Sequence, residues 1–428
     1  MTPSSIFLLE AFVIVAAPVV LLRASGLKGL MPLVVVQIMV GIALGPSVFG
    51  RIAPAYFHMF TNPATLSSLS GLAAIGVLIF GLISGLHLDT SVFSGKERAF
   101  WPVATANIAV PMTLGCLAGY WIVARLPDER LAGVSVPEFM AAVGICVTMN
   151  ALPVLGAILG EMGLLGSRIG NLALGLAGVN NILLWMMLSI LLTATAAHSG
   201  EGHGLLPPIY LLVLAPAYLI LMVRVVRPIL GNMVMIRMLD EVIYTRALVV
   251  VGAAAIASAL ATELMGLHYI MGAFLIGAIM PVSLQKPLLD RLQVMTIALL
   301  MPFFFTLTGM RILIDLGSPA LLEVFVVTTV VAVVGIVGGT AVAARLNGEE
   351  WSFAFGLGSL LQSKGLTELI VLTILLDARV VSPRIFTAMI LTAMASTALT
   401  MPLARLTLSR SSERQRIVGP VTLPSGHS

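Results

Sequence analysis

The chain alternates long apolar runs with short polar stretches, and the runs have the length of a bilayer crossing. Counting runs that can cover about 30 Å of hydrocarbon as helices gives roughly thirteen spans. They fall at 5–22, 29–47, 66–86, 101–124, 137–160, 168–193, 206–229, 244–262, 267–283, 293–310, 320–344, 351–376 and 385–404. The pattern predicts an all-α polytopic membrane protein. Two spans are expected to be broken. The fifth carries Gly144-Ile145-Cys146-Val147-Thr148-Met149-Asn150-Ala151-Leu152-Pro153, and the twelfth carries Gly356 through Glu368, including Gln362-Ser363-Lys364-Gly365. Proline removes a backbone donor and glycine weakens a helix. Unwound backbone is tolerated at membrane depth only where protein or a cavity lines it. Breaks at corresponding places in two halves predict inverted repeats with crossing broken helices and a site between them.

Composition agrees. Of 428 residues, 59% are hydrophobic and 10% charged, against about 25% charged in a soluble domain. The mean hydropathy is +1.08. A transmembrane domain is expected over 1–410 and a short cytoplasmic tail over 411–428. The net charge of +4 is scattered through loops, which argues against a nucleic-acid partner. Cys116 and Cys146 both lie inside predicted spans, and no ligand spacing accompanies them. No disulfide, structural metal or cofactor is therefore expected. No basic region precedes the first apolar run, so no cleaved signal peptide is expected. Thirteen spans place the termini on opposite sides. Arg51, Arg125, Arg130, Arg311, Arg379 and Arg384 fall on one side and Lys364 within a span; the other sixteen of the 23 Lys and Arg fall on the opposite side. The richer side is cytoplasmic by the positive-inside rule. The chain is then integral to the cytoplasmic (inner) membrane, with its N-terminus outside and C-terminus inside.

The chemistry-bearing residues are few. Asn180 and Asn181 sit mid-span, where amides need partners or a task; they serve as interhelical hydrogen-bonding groups or as a binding site. Thr148 and Asn150 mark the first break. Lys364 and Glu368 are four apart, which suits an ion pair on one helical face, or two groups facing a cavity if the helix is unwound between them. Glu10 is an intramembrane carboxylate only a turn or two from the outer end of its span. Glu263 and His268 mark a loop or span end, and the 23 methionines read as packing residues.

Four stretches carry a resemblance. They are Gln37 to Ser47, ending Leu-Gly-Pro-Ser; His268 to Pro281, with Gly272-Ala273-Phe274-Leu275; Pro302-Phe303-Phe304-Phe305 through Thr308-Gly309-Met310-Arg311; and Lys364-Gly365-Leu366-Thr367-Glu368-Leu369 followed by Ser382-Pro383. Together they resemble the second monovalent cation:proton antiporter family, which holds bacterial sodium/proton and Kef-type proteins and plant cation/proton exchangers. The resemblance covers almost the full length. It implies a homodimer with a dimerisation domain and a core domain in which two broken spans cross, and a monovalent cation and proton as substrates. In that family the span aligned with Asn180-Asn181 usually bears Asp-Asp or Asn-Asp, the second acid binding cation and proton alternately. Here both are amides, and asparagine exchanges no proton at physiological pH. A lysine in a Gly-Lys-x-x-Gly-like setting aligns with Ile336 of Gly335-Ile336-Val337-Gly338, so acid and basic partner are lost together.

Ordinary Na+/H+ or K+/H+ exchange is therefore in question, and two kinds of function stay open. One is a cation/proton antiporter with its titrating group elsewhere, at Glu10 or Glu368. The other is a repurposed fold that binds a small organic metabolite, as a carrier, as an inactive sensor or binding subunit, or as a membrane-embedded enzyme such as a cyclase in natural-product biosynthesis. An enzyme would use Glu10 or Glu368 as general acid and the two asparagines as donors to developing negative charge. Glu368 has Lys364 one turn away, whereas Glu10 has no basic neighbour before Arg23, so Glu10 is the preferred titrating residue. The topology is directly testable: Ser425→Cys should stay unlabelled by an impermeant thiol reagent in intact cells and react after permeabilisation. Labelling of intact cells would reverse the orientation.

Overall fold

The computed structural model describes residues 2–24, 33–87, 100–164, 167–199, 211–230, 241–265, 267–312 and 318–408. The tail expected from residue 411 lies outside the described residues. The described residues form helices, turns and short links, with no strand among them. Among the described residues, seven helices are long and apolar enough to cross a membrane, and shorter apolar helices accompany them.

In chain order the helices are α1 (Pro3–Ala24), α2 (Leu33–Leu44), α3 (Pro63–Leu86), α4 (Phe100–Arg125), α5 (Val136–Thr148), α6 (Leu152–Glu161) and α7 (Arg168–Ser199). Then come α8 (Leu211–Leu221), α9 (Glu241–Leu264), α10 (Tyr269–Ala278), α11 (Val282–Met295), α12 (Met301–Met310) and α13 (Pro319–Val333). The last are α14 (Gly339–Leu346), α15 (Trp351–Leu361), α16 (Leu366–Asp377) and α17 (Pro383–Leu408). Their starts are set by local chemistry. Asn62 caps α3, its side chain accepting from the Ala64 amide at 3.0 Å. Ser135 and Glu138 form a reciprocal capping box at α5.

Both predicted breaks are present. The helix ending at Thr148 resumes at Leu152, and the helix ending at Leu361 resumes at Leu366. One expectation needs revision. The runs at 267–283 and 293–310 are not two comparable spans: α10 is a short helix, and α11 continues through a π-helical turn at Thr296–Leu300 into α12. Lys286, Asp290 and Arg291 interrupt the hydrophobicity without interrupting the helix, which is why the apolar run begins too late.

The apolar core sorts the four half-helices in pairs. Residues of α5 and α16 share one buried cluster with α17. Residues of α6 and α15 share another with α4, α7 and α14. A third cluster joins α3, α9, α10 and α11. Contacts between these helices depend on small residues, because hydrocarbon supplies no hydrophobic drive and close packing must. At α3 and α10 a Cβ on Gly85 would lie 2.0 Å from the Phe274 carbonyl oxygen, and one on Gly277 would lie 2.2 Å from that of Leu82. Gly71, on the same helix α3, has nothing within 4 Å. Gly85→Ala should therefore destabilise the protein by about 1–3 kcal/mol through overpacking. Gly71→Ala should be neutral or stabilise by up to about 1 kcal/mol through helix propensity. Thermal unfolding of the two variants in the same detergent checks this; similar shifts would refute the α3–α10 contact.

Candidate functional site

The break in α5/α6 exposes the carbonyls at the C-terminal end of α5, where no helical donor follows. Each is accounted for. The Met149 amide donates to Ile145 O at 3.1 Å. Lys364 Nζ donates to the carbonyls of Cys146 at 2.7 Å, Val147 at 3.1 Å and Met149 at 3.1 Å. Asn180 Nδ2 donates to Thr148 O at 3.2 Å. A lysine supplied by the second break thus closes the end of the first, and its charge meets the negative end of the α5 dipole. The two breaks also join directly, through the Ala151 amide and Ser363 O at 2.9 Å. Thr397 of α17 holds the second break from outside, accepting from Lys364 N at 3.2 Å and donating to Lys364 O at 2.5 Å.

Lys364 is completely buried and pairs with Glu368 Oε2 at 3.2 Å. The helix is unwound at Lys364 and begins again at Leu366, so the pair bridges link and helix rather than lying on one helical face. Glu368 stands in the first turn of α16, where the dipole favours a carboxylate.

The amides differ from each other. Asn180 belongs to a chain of hydrogen bonds: Nδ2 donates also to Asn107 Oδ1 at 3.4 Å, and Asn107 Nδ2 donates to Thr340 Oγ1 at 2.9 Å. Asn181 is fully buried, and neither of its side-chain polar atoms has a hydrogen-bond partner. Asn150 and Gln362, one on each break, are in the same condition, as are the hydroxyls of Ser363, Thr367 and Ser396. Thr148 is satisfied locally, donating to Gly144 O at 2.7 Å. Ile336 is buried within a π-helical turn, Val334–Gly338, in the cluster with α4, α6 and α15.

The structure brings Lys364, Glu368, Thr148 and Asn180 together at the first break, with Asn150 in that break and Asn181 following Asn180 on α7. Glu10 is not among them: it lines a cavity with residues of α1, α2, α3 and α12. Asn107, Thr340 and Thr397 were not singled out from the sequence. An asparagine inside an apolar span was the available signal for Asn107; single threonines in such helices carry none.

Two interrupted helices crossing at a buried polar site, inside an all-helical membrane protein, define the architecture of an antiporter-type membrane domain. The chain belongs to the sodium/hydrogen exchanger transmembrane family, whose match runs over residues 12–405. It is 30% identical over 402 residues to the Na(+)/H(+) antiporter NhaS4 of Synechocystis, covering 91% of this chain and 96% of that protein. It is 29% identical over 381 residues to cation/H(+) antiporter 19 of Arabidopsis thaliana, covering 88% of this chain and 46% of that protein. The chain thus spans about half the length of the plant relatives it matches. The sodium proton antiporter MjNhaP1 of Methanocaldococcus jannaschii shares the fold, with a TM-score of 0.63 at 13% identity, covering 95% of this chain and 99% of that one.

Removing the lysine tests its structural role. Lys364→Met would leave three carbonyls without their donor and Glu368 without its counter-ion, and should cost about 3–5 kcal/mol. Adding Glu368→Leu should recover part of that loss, because the stranded carboxylate goes with it. Thermal unfolding of the single and double variants measures the coupling, and simple additivity would refute it.

Proposed function

We propose that this member of the cation/proton antiporter family has an uncharged central site and does not carry out ordinary Na+/H+ or K+/H+ exchange through it. The observation that carries this is Asn181: a buried amide, both polar atoms unpartnered, on the helix that faces the crossing. Its carbonyl offers a cation a neutral dipole, but the group neither takes up nor releases a proton. Among the described residues, the carboxylate at the crossing is Glu368, and it serves as counter-ion to Lys364 at 3.2 Å. In this reading it balances the lysine and is not the alternating site of cation and proton.

A second reading, binding of a small organic metabolite by a carrier or enzyme, is favoured by the amide nitrogens. A cation uses oxygens only and would leave Asn150 Nδ2, Asn181 Nδ2 and Gln362 Nε2 unsatisfied. A ligand bearing acceptors would use them. In that reading Glu368 is the acid at the site.

Flux in proteoliposomes decides between exchange and its loss. Wild type should show little sodium- or potassium-driven proton flux, and Asn181→Asp, alone or with Asn180→Asp, should create pH-dependent cation binding. Robust cation-driven flux in the wild type would overturn the proposal.

A further inference from the structure

Glu10 is 4% exposed and far from idle in its chemistry. Its Oε1 accepts from Thr65 Oγ1 at 3.3 Å, a hydroxyl that also reaches Asn62 O at 3.0 Å with its single proton. Its Oε2 is buried without a partner. The carboxyl lines a cavity of about 30 Å³ whose other walls are apolar, among them Val13, Ile14, Phe49, Leu66, Leu69 and Met310. These residues come from α1, α3, the short helix Phe49–Ile52 and α12, none of which forms the crossing.

The donor set decides what fits. A bare inorganic cation replaces its hydration shell with a ring of oxygens. This cavity offers carboxyl oxygen and otherwise hydrocarbon. Protonation would remove the buried charge but would leave the new O–H facing hydrocarbon, with its hydrogen bond still unmade. A group with N–H donors and a hydrocarbon body satisfies both halves: the nitrogen pairs with Oε2, the carbons meet the aliphatic walls, and the Phe49 ring suits a cation beside it. The volume of about 30 Å³ admits the ammonium nitrogen and the carbon next to it, and the pocket is partly open, so a longer chain need not be enclosed. Phe12, next to the lining residue Val13, is 68% exposed, so the cavity lies just behind the outward apolar face of α1.

We propose that the Glu10 pocket is a binding site for a protonated primary alkylamine, separate from the amide crossing. The pocket requires nothing of Asn181, so this stands whether or not the central site exchanges ions. The test uses the full chain in a non-ionic detergent at neutral pH with n-butylammonium chloride as probe. The amine should raise the thermal midpoint saturably, while n-butanol and potassium chloride should not. In Glu10→Gln the apparent affinity should fall at least about tenfold, equal to about 1.4 kcal/mol. Val13→Phe, which fills the cavity and keeps the carboxylate, should lose the response equally and decides the matter if Glu10→Gln fails to fold. No midpoint shift in the wild type, or an equal shift in the wild type and Val13→Phe, would overturn the proposal.

Discussion

The crossing rests on one ammonium group. A helix that stops inside a membrane leaves carbonyls with no water to turn to, each costing several kcal/mol if abandoned. Lys364 supplies three donors to three such carbonyls at the end of α5, and its charge is opposite to the partial charge there. The lysine in turn would be intolerable unpaired, and Glu368 answers it from the first turn of α16. Break, lysine and glutamate therefore justify one another: each would be a liability without the other two.

This arrangement restrains the site chemically. Among the described residues, the opposite charges at the crossing are Lys364 and Glu368, which balance each other, and amides and hydroxyls make up the other polar groups without hydrogen-bond partners there. Asn180 is tied through Asn107 to Thr340, so it reads as part of the scaffold. Asn181, one residue on, is tied to nothing. Two adjacent and identical side chains thus take different roles because successive helical residues face different neighbours, about 100° apart.

Much of the fold was readable because apolar runs of bilayer length have few alternatives in lipid. Both breaks were readable because Gly, Pro and polar residues coincide at mid-depth only where backbone is to be freed. The boundary between α10 and α11 was not, since Lys286, Asp290 and Arg291 within a helix look like a loop in a hydropathy trace. At the site, the type of each residue pointed to polarity but not to partners. That Lys364 reaches back over two hundred residues to Cys146 is a property of the crossing, and local spacing suggested only its neighbour Glu368.

Glu10 and Glu368 show how little sequence neighbours say about an acid's surroundings. Glu368 was expected to be governed by its lysine, and the structure places the two 3.2 Å apart, both fully buried. Glu10 looked free because no basic residue precedes Arg23, and no described basic residue pairs with it, yet it stands in a different set of helices from the amides. Lack of a charge partner and proximity to the crossing are therefore divided between two residues. An antiporter needs both in one place. In the proposed reading, with Asn181 neutral, Glu368 the counter-ion of Lys364 and Glu10 in another set of helices, proton and cation do not compete for one carboxylate at the crossing.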